Sequence, residues 1–358
     1  MPSRASTVLR PLIRFQESPV RWPVALQAGL SMCLPVALLT LLGRTDLGLL
    51  ASSGAFASLY LAYRSRRTRA VWLPVISAGL FLSAALGVLT ARHPALALGL
   101  MALLTAVSSL VMFGLHVGPP GAVFFVLTAG VSGHLTTPAA DGGGGLSARV
   151  VLGMLLVGLA VAYAVTMAPM SLPGVRARDR ALHEAREPAV FSFDRASRII
   201  VTRVVAASAV AAVVCIPLGV HRAYWVMLTV VAILQAAPHV RLTISRGVQR
   251  VVGTFLGMAV FALVWQLHST GLWLALVLGA LQFLTEIAVT RNYGLALLTI
   301  TPLAMTMVAQ GHHGAVSELL ETRLLDTVLG AAVAMVVLLG SKVLQDRLWR
   351  REPHWVNV

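Results

Sequence analysis

The chain has 358 residues, of which 58% are hydrophobic and only 11% charged, against roughly 25% charged residues in soluble domains. So little charge leaves a water-facing surface uncovered, which excludes a soluble globular protein and predicts an all-α polytopic membrane protein. The formal charge of +15 raises nucleic-acid binding, but the basic residues are spread among the breaks between apolar stretches, so no nucleic-acid partner is expected.

Apolar stretches long enough, or nearly so, to cross a bilayer as helices follow one another along the chain. In chain order they cover about 24–42, 47–63, 71–89, 95–115, 121–135 and 150–168. After an Arg-rich break come about 199–220, 224–238, 248–267, 272–289, 294–310 and 324–343. That predicts about 12 transmembrane helices. Cys33 and Cys215 fall inside the first stretch of each half and read as packing residues, and the stretch 24–42 is long enough to remain as a signal anchor.

When the eleven breaks and two tails are assigned to alternate membrane sides, 23 of the 28 Lys and Arg fall on the side of the N-terminus. The remaining five are Arg44, Arg92, Arg149, Arg222 and Arg323. The positive-inside rule then places both termini in the cytoplasm of a cell (plasma or inner) membrane. Contact with anionic membrane lipid follows from the same charges.

The two halves superpose at an offset of about 174 residues, which sets Arg149 against Arg323 and Gly79 against Gly253. With six spans each, the halves point the same way across the membrane, so the repeats are parallel. The domains expected are a first membrane half at 1–170, a cytoplasmic linker at 171–198, a second membrane half at 199–344 and a cytoplasmic tail at 345–358. The linker is expected to hold one short amphipathic helix.

The second half carries the densest polar pattern. It has Tyr224-Trp225 at the start of one span and Arg246 through Arg250, then Gly253-Thr254 and Gly257, opening the next. Glu286 and Arg291-Asn292-Tyr293 follow, and then Arg323 with Asp326, Thr327 and Gly330. This set resembles the fusaric acid resistance-like family of integral membrane transporters, also described as aromatic acid exporters, and the resemblance covers most of 198–344. It implies a transporter, with an exporter of small aromatic or amphipathic organic acids as the family's theme.

Each residue admits a structural and a functional reading. Gly253, Thr254, Gly257 and Gly330 fit small-residue faces for close helix packing. Arg246 and Arg250, one turn apart, read as headgroup anchors or as an anion-gathering vestibule. Tyr224 and Trp225 read as an interfacial aromatic belt or as a surface for an aromatic ligand whose carboxylate pairs with Arg222. Glu286 reads as an interfacial charge paired with Arg291, or as a protonatable carboxylate coupling transport to proton entry. Arg323 and Asp326 are expected to form a local ion pair or part of a gate, and Arg44 and Asp46 in the first half to pair likewise. Adjacent His312 and His313 are no argument for a metal. Neither metal nor cofactor is expected.

The sequence holds no phosphate loop, zinc spacing or nucleophile elbow, so no enzyme activity is expected. Three readings stand: a secondary exporter of small organic anions, a passive anion channel, and a non-transporting membrane scaffold. Whether the chain forms a homo-oligomer is left open.

Overall fold

A computed structural model describes residues 21–181, 191–217, 223–309 and 316–349. The described residues form helices and connecting turns with no strand. The first half contains α1 (Trp22–Leu41), α2 (Thr45–Ser52) continued by a 3-10 segment (Ser53–Leu59), α3 (Arg66–Thr90), α4 (Pro94–Gly114), α5 (Val123–Thr136) and α6 (Ala148–Met167). The linker contributes α7 (Pro173–Ala181). The second half contains α8 (Arg195–Cys215), α9 (Ala223–Leu234), α10 (Val240–Trp265), α11 (Gly271–Ala288), α12 (Tyr293–Ala309) and α13 (Val316–Trp349).

Local chemistry sets where these helices begin. Side-chain oxygens of Ser65, Ser147, Asp194 and Asn292 accept from the backbone N–H three residues on, capping α3, α6, α8 and α12. Proline occupies the first turn of α1 and α4, where its missing N–H costs nothing. Asp179 of the linker helix reaches back to accept from the N–H groups of Arg66 (2.7 Å) and Arg67 (3.2 Å). The linker is thereby tied to the first turn of α3.

Among the described residues, eight helices are long and apolar enough to cross a membrane, so the protein is a multi-pass integral membrane protein. The other four expected spans are shorter. One is the broken segment Thr45–Leu59, and the rest are α5, α9 and α12, of 14, 12 and 17 residues. At 1.5 Å per residue, α9 rises only about 18 Å, well under the roughly 30 Å hydrocarbon core. Every residue of α9 is buried. A helix surrounded by other helices is not held to the bilayer's thickness, because protein rather than lipid satisfies its ends.

The halves meet along matched helix pairs. α1 packs along α11 in the most extensive of these contacts, and α4 packs along α8. Within the halves, α3 packs on α5 as α10 packs on α12, and α6 packs on the broken second element as α13 packs on α9. The α1–α11 seam is close enough that a Cβ on Gly29 would lie 2.8 Å from the Gly279 carbonyl oxygen, and one on Gly279 2.8 Å from Cys33 Cβ.

Candidate functional site

Two of the short helices start beside arginines. α12 begins at Tyr293, and Asn292 before it caps the helix by accepting from Leu295 N–H at 3.1 Å. The Tyr293 hydroxyl accepts from Arg250 Nη1 at 2.8 Å. Its ring lies under the Arg246 guanidinium, 3.5 Å from Cζ to the ring centroid. One tyrosine thus engages both arginines of α10, which present to the same side because they are a helical turn apart.

α9 begins with Ala223-Tyr224-Trp225. The Arg323 guanidinium of α13 stacks over the Trp225 ring at 3.7 Å, and the Tyr224 and Trp225 rings are 5.1 Å apart. Arg250, Tyr293, Tyr224 and Asp326 all lie within electrostatic range of Arg323. The outcome is one cluster in which Arg246 and Arg323 face aromatic rings and Arg250 bonds a tyrosine hydroxyl, with Asp326 as the carboxylate beside them. Trp225 and Arg323, with Met305, Val308, Leu319 and Thr322, line a narrow cleft.

Arg250 is 4% exposed and Arg323 2%, yet both keep buried N–H groups without acceptors: Nε and Nη2 of Arg250, Nε and Nη1 of Arg323, and also Nε of Arg246. Effective desolvation costs several kcal/mol per buried ion. A cation–π contact returns about 0.5–2 kcal/mol and a hydrogen bond to a charged group about 1.5–3 kcal/mol. The aromatic partners therefore leave the guanidinium groups under-compensated, and an anion placed among them would supply the missing acceptors.

Several sequence expectations change here. Tyr224 and Trp225 are buried, because α9 is enclosed on every side, so they are not an interfacial belt. Arg250 is interior, and Arg246 half-buried against Tyr293, so neither serves as a headgroup anchor. Glu286 does not pair with Arg291. Its partner is Arg21, at 3.2 Å, because Glu286 is buried on α11 beside α1 while Arg291 is exposed in the turn before α12. Arg323 stacks over Trp225 of α9 and at the same time lies within electrostatic range of Asp326. Arg44 and Asp46 do pair, at 2.8 and 3.1 Å, on the surface. Arg222 lies outside the described residues, as do His312 and His313.

The small residues sit at tight crossings. A Cβ on Gly253 would come within 2.8 Å of Leu297, and one on Gly257 within 2.5 Å of the Leu297 carbonyl oxygen. Gly330 stands against Val226 and Thr229 of α9. Thr254 is buried between Gly253 and Gly257.

Sequence reasoning missed a polar network in the first half. Arg69 donates to Gln27 Oε1 (3.2 Å) and to the Ser58 carbonyl oxygen (2.6 Å), and Gln27 donates to Thr166 Oγ1 (2.9 Å). The lone amide of Gln27 within an apolar span was the signal available, while Arg69 had counted only toward topology. The residues 174 positions before Arg246 and Arg250 are Trp72 and Ile76, which carry no charge.

Comparison with known proteins matches residues 199–337 to the fusaric acid resistance protein-like family. A stretch of 134 residues is 31% identical to an uncharacterized membrane protein, YvaC, of Bacillus subtilis (strain 168). That stretch is 37% of this chain but only 20% of the relative, so the chain spans about a fifth of the curated relative it matches. No solved structure matches. Every residue of the arginine–aromatic cluster falls inside the matched segment. The protein is a multi-pass membrane protein, and its residues 199–337 are similar to the fusaric acid resistance protein-like family.

Proposed function

We propose that the chain is a secondary transporter of small organic anions with an aromatic or amphipathic body, exporting them across the cell membrane, and that the arginine–aromatic cluster binds the anion. The observation that carries this reading is the pair of buried guanidinium groups, Arg250 and Arg323, with N–H donors still unpaired beside Tyr293 and Trp225. A carboxylate would take those donors while its ring stacks among the aromatics. The cleft is narrow, so passage requires α9 and α13 to part. No catalytic role is proposed.

The same proposal takes the twelve transverse elements as two parallel repeats of six. Each half runs long, short, long, long, short, long, and α3 and α10 begin about 174 residues apart. Matched helix pairs at the seam and within the halves support it. On this reading both termini are cytoplasmic, and the arginines approach from both sides toward a common depth, where repeat-built transporters place substrate.

A passive anion channel is the second reading, favoured by the cluster's excess of positive charge and by the engagement of Glu286 with Arg21 rather than with the cluster. Asp326 is then the carboxylate that decides between the two. The test uses purified protein in liposomes, a radiolabelled aromatic carboxylate such as benzoate, and an imposed pH gradient. Uphill accumulation is expected from the wild type and lost in Arg250→Gln and Arg323→Gln. An Asp326→Asn variant that still moves substrate downhill but not uphill supports coupling, whereas wild-type protein that conducts only downhill supports the channel. Variants at Arg250 and Arg323 that transport like wild type would sink the site.

A further inference from the structure

A second basic site lies elsewhere in the second half, on elements the cluster does not use. The first part of α8 carries Arg195, Arg198, Ile199 and Thr202 at three- and four-residue spacing, which puts them on one helix face. Arg203 follows and turns inward, 4% exposed. Its Nε donates to Ser341 Oγ on α13 at 3.0 Å, and its Nη1 to the Pro238 carbonyl oxygen at 2.7 Å. Arg203 thereby clasps together the start of α8, the far end of α13 and the turn before α10.

Between these elements is a cavity of about 390 Å3, lined by the four residues of that face with Arg203 and Ser341. Three guanidinium groups and two hydroxyls converge on it. The adjacent carboxylate, Asp194, accepts from Ser197 N–H at 2.7 Å as the cap of α8.

The surroundings narrow the kind of anion. α8 and α13 are both candidate membrane spans, and the residues leading away from the cavity toward mid-span are exposed and apolar. On α13 these include Leu339 and Val336, and on α8 Val210 and Val213. A Cβ on Gly340, next to Ser341, would meet nothing within 4 Å. A cationic pocket continuous with open apolar helix faces fits an amphiphile with an anionic head.

We infer that this cavity binds the phosphate headgroup of an anionic phospholipid, whose acyl chains run along the exposed faces of α8 and α13. Arg195, Arg198 and Arg203 pair with the phosphate oxygens, Thr202 supplies a hydroxyl donor, and Ser341, whose hydroxyl donates to the Leu338 carbonyl oxygen, holds Arg203 in place. A free phosphate ion would meet the same guanidinium groups but leave the apolar faces unused. The inference does not depend on what the protein transports.

Native mass spectrometry of the purified full-length protein in detergent, with added phosphatidylglycerol or phosphatidylcholine, tests it. Phosphatidylglycerol is expected to be retained and phosphatidylcholine not. Arg195→Gln and Arg198→Gln alter exposed side chains and should leave the fold intact. Each should weaken phosphatidylglycerol retention roughly fivefold, whereas Arg241→Gln, outside the cavity, should not. Equal retention of the two lipids, or unchanged retention in both variants, overturns the inference. Displacement of the lipid by inorganic phosphate at equal concentration overturns it too, by showing a free-anion site.

Discussion

Tyr293 carries two tasks at once, and its substitutions should separate them. Tyr293→Phe keeps the ring beneath Arg246 but removes the acceptor of Arg250 Nη1. Leaving another guanidinium donor unpaired costs about 1–3 kcal/mol, so thermal unfolding in detergent should shift down. A melting curve unchanged from wild type would show that solvent or a neighbour replaces the hydroxyl. Arg250→Lys should not restore transport lost in Arg250→Gln, because a point charge cannot reproduce the guanidinium fork. Asp194 gives a pH prediction outside the spans. Its hydrogen bonds to Ser197 hold the folded carboxyl below the usual value near 4, with the Arg198 and His116 charges adding to the effect. The cap therefore contributes fully above the unfolded pKa and is lost as pH falls through the lower, folded one. An Asp194→Asn variant keeps a capping side chain that does not titrate, so its melting temperature should fall less than that of wild type between pH 5 and pH 2 (about the range in which such a carboxylate titrates). Parallel declines would remove Asp194 from the acid response.

Among elements, the seam between α1 and α11 joins the halves and combines close backbone approach with one buried ion pair. Leucine at Gly29 or Gly279 must push the two helices apart, and overpacking of this kind costs about 1–3 kcal/mol. Both should lower the melting temperature, while Gly153→Leu, whose Cβ position is open, should not. The Arg21–Glu286 pair obeys a different rule. Removing Arg21 strands the buried Glu286 carboxylate, whereas removing both does not, and Arg21 itself is partly exposed. Arg21→Gln should therefore destabilise more than the double variant; additive losses would mean the two side chains do not support each other. The short helices explain why span counting by apolar length had soft edges. α9 is apolar on all sides, as a membrane span would be, yet its neighbours are other helices. Periodicity and composition give the same signal for lipid contact and for complete burial, so only the packing separated them.

At the scale of the whole molecule, the proposed parallel arrangement makes a direct prediction. If α1 and α8 enter from the same side, the loop between α5 and α6 faces opposite to the end of α13. Cysteines at Gly142 and Lys342 should label with an impermeant maleimide from opposite sides of oriented vesicles. Labelling from one side would overturn the two-repeat topology. The arginine pair of α10 is apolar at the matched first-half positions, so the expected stoichiometry is one aromatic anion per chain, measured by equilibrium binding. Two equivalent sites would require a cationic site in the first half, where Arg69 is already engaged with Gln27 and Ser58.

The sequence by itself determined that the protein is helical, crosses the membrane many times and divides at an Arg-rich break, because burial in lipid restricts composition and length so strongly. It also supplied the residues of the second-half pattern, since charges inside apolar stretches stand out against their background. Which of those residues meet was decided only by tertiary structure. Arg323 stacks over Trp225 of a distant helix, and Glu286 faces Arg21 rather than Arg291, although the expected partner of Glu286 was nearer in the chain. Spacing along a helix reports which side chains share a face. It does not report which neighbouring helix that face is turned toward, and in a bundle built from two halves the deciding neighbours come from distant sequence.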